Sequence, residues 1–130
     1  AGVSVGTLYQ YFPNKSALLQ AALKRHLNEV ASAVERVCHG QKGKSLSQMA
    51  TALINTFLEA KMKKAKTSVA MYSVSSDVDG ASIVHEVGVR SNKAIVAMLR
   101  TANEPLTTEP QLVAGMLQVA MAGVSLQFFA

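Results

Sequence analysis

The sequence has no tryptophan, a single cysteine, three prolines and eight acidic residues. Each scarcity removes a class of protein. One cysteine, Cys38, allows no internal disulfide and suits a reducing compartment. Its neighbour His39 is too close in sequence to share a metal with it, so Cys38 reads as a thiol near a helix end rather than a ligand. With so few prolines, and with eight glycines placed mostly where periodicity pauses, the chain is ordered and helical rather than disordered. The carboxylates are sparse and not paired at helical spacing, and His26, His39 and His85 are scattered. Neither a glycine-rich phosphate loop nor a metal-ligand pattern occurs, so an enzyme is not expected, and neither is a cofactor.

What is present is apolar residue at helical spacing. At 130 residues the chain is one domain by size, large enough for a substantial helical core. Asn14 can cap a helix beginning at Lys15, in which Leu19, Leu23, Leu27, Val30, Val34 and Val37 form one stripe up to about His39. The polar stretch GQKGK at 40–44 breaks it. Ser45 then stands three residues before Gln48, the spacing of a capping box, and opens a helix with Leu46, Met49, Leu53, Phe57 and Ala60 on one side, Ile54 and Leu58 beside them. Lys61, Lys63, Lys64 and Lys66 crowd its end, where positive charge complements the helix dipole. The segment 67–76 reads as helix rather than strand, and Asp77–Gly80 as a turn. A long helix follows over 81–102, with Ile83, Val87, Ala94 and Met98 along one side, until the break around Pro105. Thr108 repeats the capping arrangement with Gln111, and Pro110 falls in the first turn, where its missing N–H costs nothing.

The last nineteen residues, LVAGMLQVAMAGVSLQFFA, carry no charge and are apolar around most of the helix. They barely reach the length of a membrane span, and Gln118, Ser125 and Gln127 are awkward in lipid. The better reading is a core helix that also faces a second subunit, with no membrane. Charge is uneven: residues 40–66 hold six lysines against Glu59 alone, within a formal net charge of +5. Such a run is an ordinary solvated face unless a motif gives it an anionic partner.

The first letters supply that motif. Gly2 suits the left-handed position past a helix end and Ser4 the N-cap of the next helix, so Ala1 would be the tail of a preceding helix. Two helices joined so tightly make a helix-turn-helix, whose second member enters the major groove of DNA. On a helical wheel Leu8 and Phe12 define the buried side of residues 4–12, while Gly6, Thr7 and Gln10 face away between Tyr9 and Tyr11. Lys15 adds charge at a helix N-terminus, a favourable place for phosphate.

The stretch AGVSVGTLYQYFPNKSALL closely resembles the DNA-binding signature of the tetracycline-repressor (TetR/AcrR) family of bacterial regulators. It shares Gly2, Val3, Ser4, Gly6, Thr7, Leu8, Tyr9, Tyr11, Phe12, Lys15, Ala17 and Leu18. The resemblance implies an all-α fold: the remnant of a helix-turn-helix domain with a long connecting helix over 1–39, then a helical ligand-binding and dimerisation bundle over 40–130. Val5, Gly6 and Tyr9 would approach base edges; Ser4, Thr7, Tyr11 and Lys15 would hold phosphates. Val5 stands where a polar or basic residue is often found, and can offer a thymine methyl only an apolar contact.

By the same resemblance this is a cytoplasmic, ligand-responsive regulator, a repressor released from operator DNA by a small-molecule effector, and a homodimer through its C-terminal helices. The expected effector contacts are Phe57, Met62, Met71, Tyr72, His85, Arg90, Met98 and Met116, methionine being tolerant of ligand shape. The family places two helices ahead of Ala1 and a further dimer helix after the last one here. The chain therefore reads as N-terminally truncated and incomplete at its C-terminus, with weak operator binding expected of it in this form. The alternative is a helical protein-interaction or small-molecule-binding module without DNA-binding activity, which would show no salt-dependent affinity for DNA.

Overall fold

The structure, a computed structural model, describes residues 14–63 and 78–129. These form four helices and no strand: α1 (Lys15–Gly40), α2 (Leu46–Met62), α3 (Val78–Leu99) and α4 (Pro110–Phe129). The recognition helix expected at 4–12 and the segment 67–76 lie outside the described residues. No described helix is long and apolar enough to cross a membrane.

The caps read from the sequence at the first two helices are formed. Asn14 Oδ1 accepts from the Ala17 backbone N–H at 2.8 Å. At α2, Ser45 Oγ accepts from Gln48 N–H at 3.2 Å while Gln48 Oε1 accepts from Ser45 N–H at 3.1 Å, so each satisfies one orphan donor. α1 stops at a turn in which Gly43 takes φ +82°, the left-handed region where a side chain is strained.

Three boundaries differ from the sequence reading. α3 begins at Val78, so Val78–Gly80 are helical rather than a turn; Asp79 lies in its first turn and complements the dipole, and Gly80 is buried there. At its other end α3 closes at Leu99, because Thr101 N–H bonds back to Met98 O and Ala102 N–H to Leu99 O, three-residue bonds that tighten and end the helix. α4 starts at Pro110, one residue later than a Thr108 cap would place it. Gln111, the expected partner of that cap, instead donates its side-chain amide to Asn92 Oδ1 of α3 at 2.8 Å.

Helix α1 is the spine. It packs on α3 and then α2, and α4 rests chiefly on α3. The main core draws on all four helices: Val34 and Cys38 from α1, Met49 and Leu53 from α2, Ile95, Met98 and Leu99 from α3, Ala114 and Met121 from α4. A second, smaller cluster joins Leu23 and Leu27 of α1 to Ile83 and Val87 of α3, with Leu19 and Ala22 at its edge. The apolar stripe of α1 is thus buried along most of its length, as its periodicity indicated.

The C-terminal end of α1 is stapled to the loop between α3 and α4. Gly43 N–H donates to Thr101 Oγ1 at 3.0 Å, Asn103 N–H to Lys44 O at 3.0 Å, and Leu46 N–H to the Glu104 carboxylate at 2.8 Å. The last of these puts an anion on the positive end of α2. The first part of the loop that the sequence shows only as a proline break is thus tied to the α1–α2 connection.

Gly43 separates backbone strain from packing, because a Cβ there would meet nothing within 4 Å. Gly43→Ala is expected to lose about 1–2 kcal/mol, the cost of a left-handed alanine. Gly40→Ala, in helical backbone with equally open space, should be neutral or gain up to about 1 kcal/mol. Urea denaturation of both variants measures the contrast; equal effects would mean that the turn does not hold this backbone in solution.

Candidate nucleic-acid and effector sites

Of the residues expected at DNA, Lys15 alone is described; Ser4, Val5, Gly6, Thr7, Tyr9 and Tyr11 lie outside the described residues. Lys15 is the first residue of α1 and is exposed, and no acidic residue occupies that first turn. The positive end of a 26-residue helix and a lysine ammonium are therefore presented together, the combination that suits a phosphate.

From Lys15, α1 runs back into the bundle and is gripped midway by Arg90 of α3. The guanidinium binds Glu35 in a bidentate pair, Nε to Oε2 at 2.9 Å and Nη2 to Oε1 at 2.6 Å. It also donates to Ser32 Oγ at 2.9 Å and Asn28 Oδ1 at 3.2 Å. Asn28, Ser32 and Glu35 lie at spacings of four and three, one stripe beside the apolar stripe of α1. One planar fork thus engages two turns of the neighbouring helix, a geometry that the point charge of lysine does not reproduce. The Arg90 bond and charge hold the Glu35 carboxyl below its usual range, against a smaller opposing effect of burial.

Two of those acceptors have a second exposure. An open groove of about 1150 Å³ lies between α1 and α2, lined by Arg25, Asn28, Glu29, Ser32 and Arg36 on one side and by Thr56, Glu59, Met62 and Lys63 on the other. Asn28 and Ser32 therefore touch both the groove and the Arg90 fork. Arg25 pairs with Glu29 at 3.6 Å, an exposed contact worth a few tenths of a kcal/mol, about the usual value for such helix pairs.

Of the residues expected to hold an effector, the described ones lie at different places in the bundle. Met62 lines the groove, and Phe57 packs at the edge of the core. Met98 is fully buried within the core, whereas His85 and Met116 are exposed on α3 and α4. Arg90 is committed to α1, and Met71 and Tyr72 lie outside the described residues.

Sequence reasoning missed several groups that matter here. The lysine run reads as a solvated face at the end of α2, but the Lys61 side chain is buried, with the ammonium 5.7 Å from the centre of the Phe57 ring. Burial lowers its pKa to about 8. Its place four residues after Phe57 and eight after Leu53, on the inward stripe of α2, is the signal that shows this. His26 is likewise buried on α1; Cys38, which the sequence reads as a thiol near a helix end, is buried there too, and burial pushes that thiol up to about 11, which keeps it protonated and unreactive. Among the described residues no three His, Cys, Asp or Glu are placed to hold a metal ion.

A helical bundle whose longest helix leads out to a basic helix terminus has the layout of a regulator with a DNA-reading head. Family comparison agrees. Residues 45–130 match the family described as tetracyclin repressor-like, C-terminal domain, and residues 1–22 match the bacterial regulatory proteins of the tetR family. The chain belongs to the TetR family of transcriptional regulators. Comparisons with curated proteins and with solved structures return no match.

The Arg90 pair gives an acid-dependent expectation. A carboxylate whose folded pKa is depressed stabilises above its ordinary value of 4.5, and that contribution is lost as pH falls through the folded pKa. Both side chains are more than a third exposed, so the charge part is worth only about 1 kcal/mol or less. Glu35→Gln should lose that much at pH 7 in urea denaturation, and the gap from wild type should close at strongly acidic pH. A gap that persists there would assign the effect to shape rather than charge.

Lys61 shifts stability with pH in the same direction but in an alkaline window, because burial disfavours its charged form. Its folded pKa of about 8 lies below the ordinary 10.5, so stability should climb as pH rises between those values. Lys61→Met should abolish that climb. Thermal or urea unfolding from pH 7 to 10.5 reads this out; a variant with the same slope as wild type would refute it.

Proposed function

We propose that this chain is the effector-sensing and dimer-forming part of a cytoplasmic transcriptional repressor, released from operator DNA when a small molecule binds. The observation that carries the reading is the sharing of Asn28 and Ser32 between the α1–α2 groove and the Arg90 fork. A ligand in the groove, held beside Met62, competes for or polarises the same side chains that fasten α1 to α3. The position of α1 then depends on occupancy. The match to the regulatory family's N-terminal part runs to residue 22 and so includes the first two turns of α1; on this reading a shift of that helix is passed to the DNA-reading residues that precede it.

On this reading Ser4, Val5, Gly6, Thr7, Tyr9, Tyr11 and Lys15 meet the DNA, the first six from the helix expected at 4–12. Dimer half-sites lie whole helical turns apart, so a small change in head separation weakens both contacts together. The second copy packs against α4, whose outer side leaves Leu112, Met116 and Val119 between 57% and 74% exposed. Arg90 acts through the fork rather than on the ligand itself, and a coupling of about 1–3 kcal/mol is the usual size for such a device.

The test is selection of duplexes from a random DNA library by the intact regulator, followed by a salt titration. Enriched two-fold sites are expected, and Lys15→Ala should weaken binding to all sequences alike while lowering the slope of log K against log salt by about one. Absence of any salt-dependent DNA affinity would overturn the proposal in favour of a helical interaction module.

A further inference from the structure

α4 poses a problem that burial does not solve. It carries no charged residue, and it is apolar on two sides. Its inward stripe is Ala114, Leu117, Met121 and Ser125; its outward stripe is Leu112, Met116 and Val119. Two of the four inward positions are an alanine and a serine, so hydrophobic burial alone gives little reason to keep the outward stripe in water.

Hydrogen bonds supply the reason. Gln111 donates its side-chain amide to Asn92 Oδ1 at 2.8 Å, Asn92 donates to Gln118 Oε1 at 2.8 Å, and Gln118 donates to the Gly88 carbonyl at 2.9 Å. The three bonds run in one direction, so each polarises the next. They exist at one rotation of α4 only. Turning the helix to bury Leu112 and Met116 would carry Gln111 and Gln118 away from α3 and leave Asn92 unpaired beneath apolar groups, which is costly.

We propose that Asn92, through Gln111 and Gln118, sets the rotation of α4 and so selects which of its two apolar stripes is kept for a second copy of this chain. The proposal rests on the dimer reading given above. A second copy is the occupant that suits an uncharged surface: across a two-fold axis any charge near the axis would face its own image, and α4 offers none.

The experiment uses the full chain carrying Ala114→Cys as a reporter, since Ala114 is fully buried and the native thiol, Cys38, is buried and held protonated. Maleimide labelling is followed in this background and after adding Asn92→Leu with Gln118→Met, which keep size but remove the amides. The expected result is slow labelling in the parent and labelling at least ten times faster in the double variant, with unchanged helical content by circular dichroism. Gln118→Glu, which cannot donate to Gly88 but still accepts from Asn92, should fall between and covers the case in which the double variant does not fold. Equal protection in the parent and in the folded variants would overturn the proposal. Sedimentation of the chain without substitutions separates the two readings: a dimer is expected, and a monomer whose labelling still responds to the amides would overturn the dimer reading while sparing the rotation.

Discussion

Burial of one stripe along α1 is the constraint from which the rest follows. Leu23, Leu27, Val30, Val34 and Cys38 are almost wholly out of water, and they meet α3 at one end and all three other helices at the other. At roughly 1.5–3 kcal/mol for each large apolar side chain, this stripe outweighs any polar contact in the molecule. It also divides α1 into two regimes. The C-terminal half sits in a four-helix core and is stapled by Gly43, Lys44 and Leu46 to the α3–α4 loop. Among the described residues, the apolar cluster at 19–27 holds α1 to α3 alone.

Polar groups then choose among packings that burial leaves nearly equal. Arg90 fixes how far α1 slides along α3, since its fork meets Asn28, Ser32 and Glu35 together at one register. Asn92 does the same for the rotation of α4. Neither contributes much net stability, because each exchanges water's hydrogen bonds for the protein's own. Their value is specificity: at the wrong register these partly exposed donors and acceptors lose one another, which is enough to separate packings of nearly equal apolar burial.

The helices and their apolar faces were legible because periodicity and caps are local. Asn14 and the Ser45–Gln48 pair act over three residues, and the α1 stripe recurs every three or four. The errors lie where a distant partner decides. Gln111 reads as half of a cap with Thr108 until Asn92, nineteen residues earlier, takes its amide. Lys61 belongs to a lysine run in the sequence, yet its own position on α2 turns it inward beside Phe57. Arg90, expected among the effector contacts, also binds partners 55 to 62 residues away on another helix, which no local pattern shows. The family signature at residues 2–18 was readable for the opposite reason: its letters are contiguous, so no folding knowledge was needed to find it.

The placement of the Arg90 fork also accounts for how a modest event in the groove could reach DNA. Glu35 and Lys15 are twenty residues apart on one helix, about 30 Å at 1.5 Å per residue. A tilt of about 5° at the fork displaces the far end by roughly 2.6 Å over that length. Two heads moving oppositely in a dimer would double the change in their separation, which is already comparable to the reach of a hydrogen bond. The helix must stay straight for this to work, and α1 contains neither proline nor an internal glycine before Gly40. On the proposed reading, a continuous, breaker-free helix gripped on one side and touched by a groove on the other would convert the loss of one or two hydrogen bonds into a displacement at the DNA-reading end.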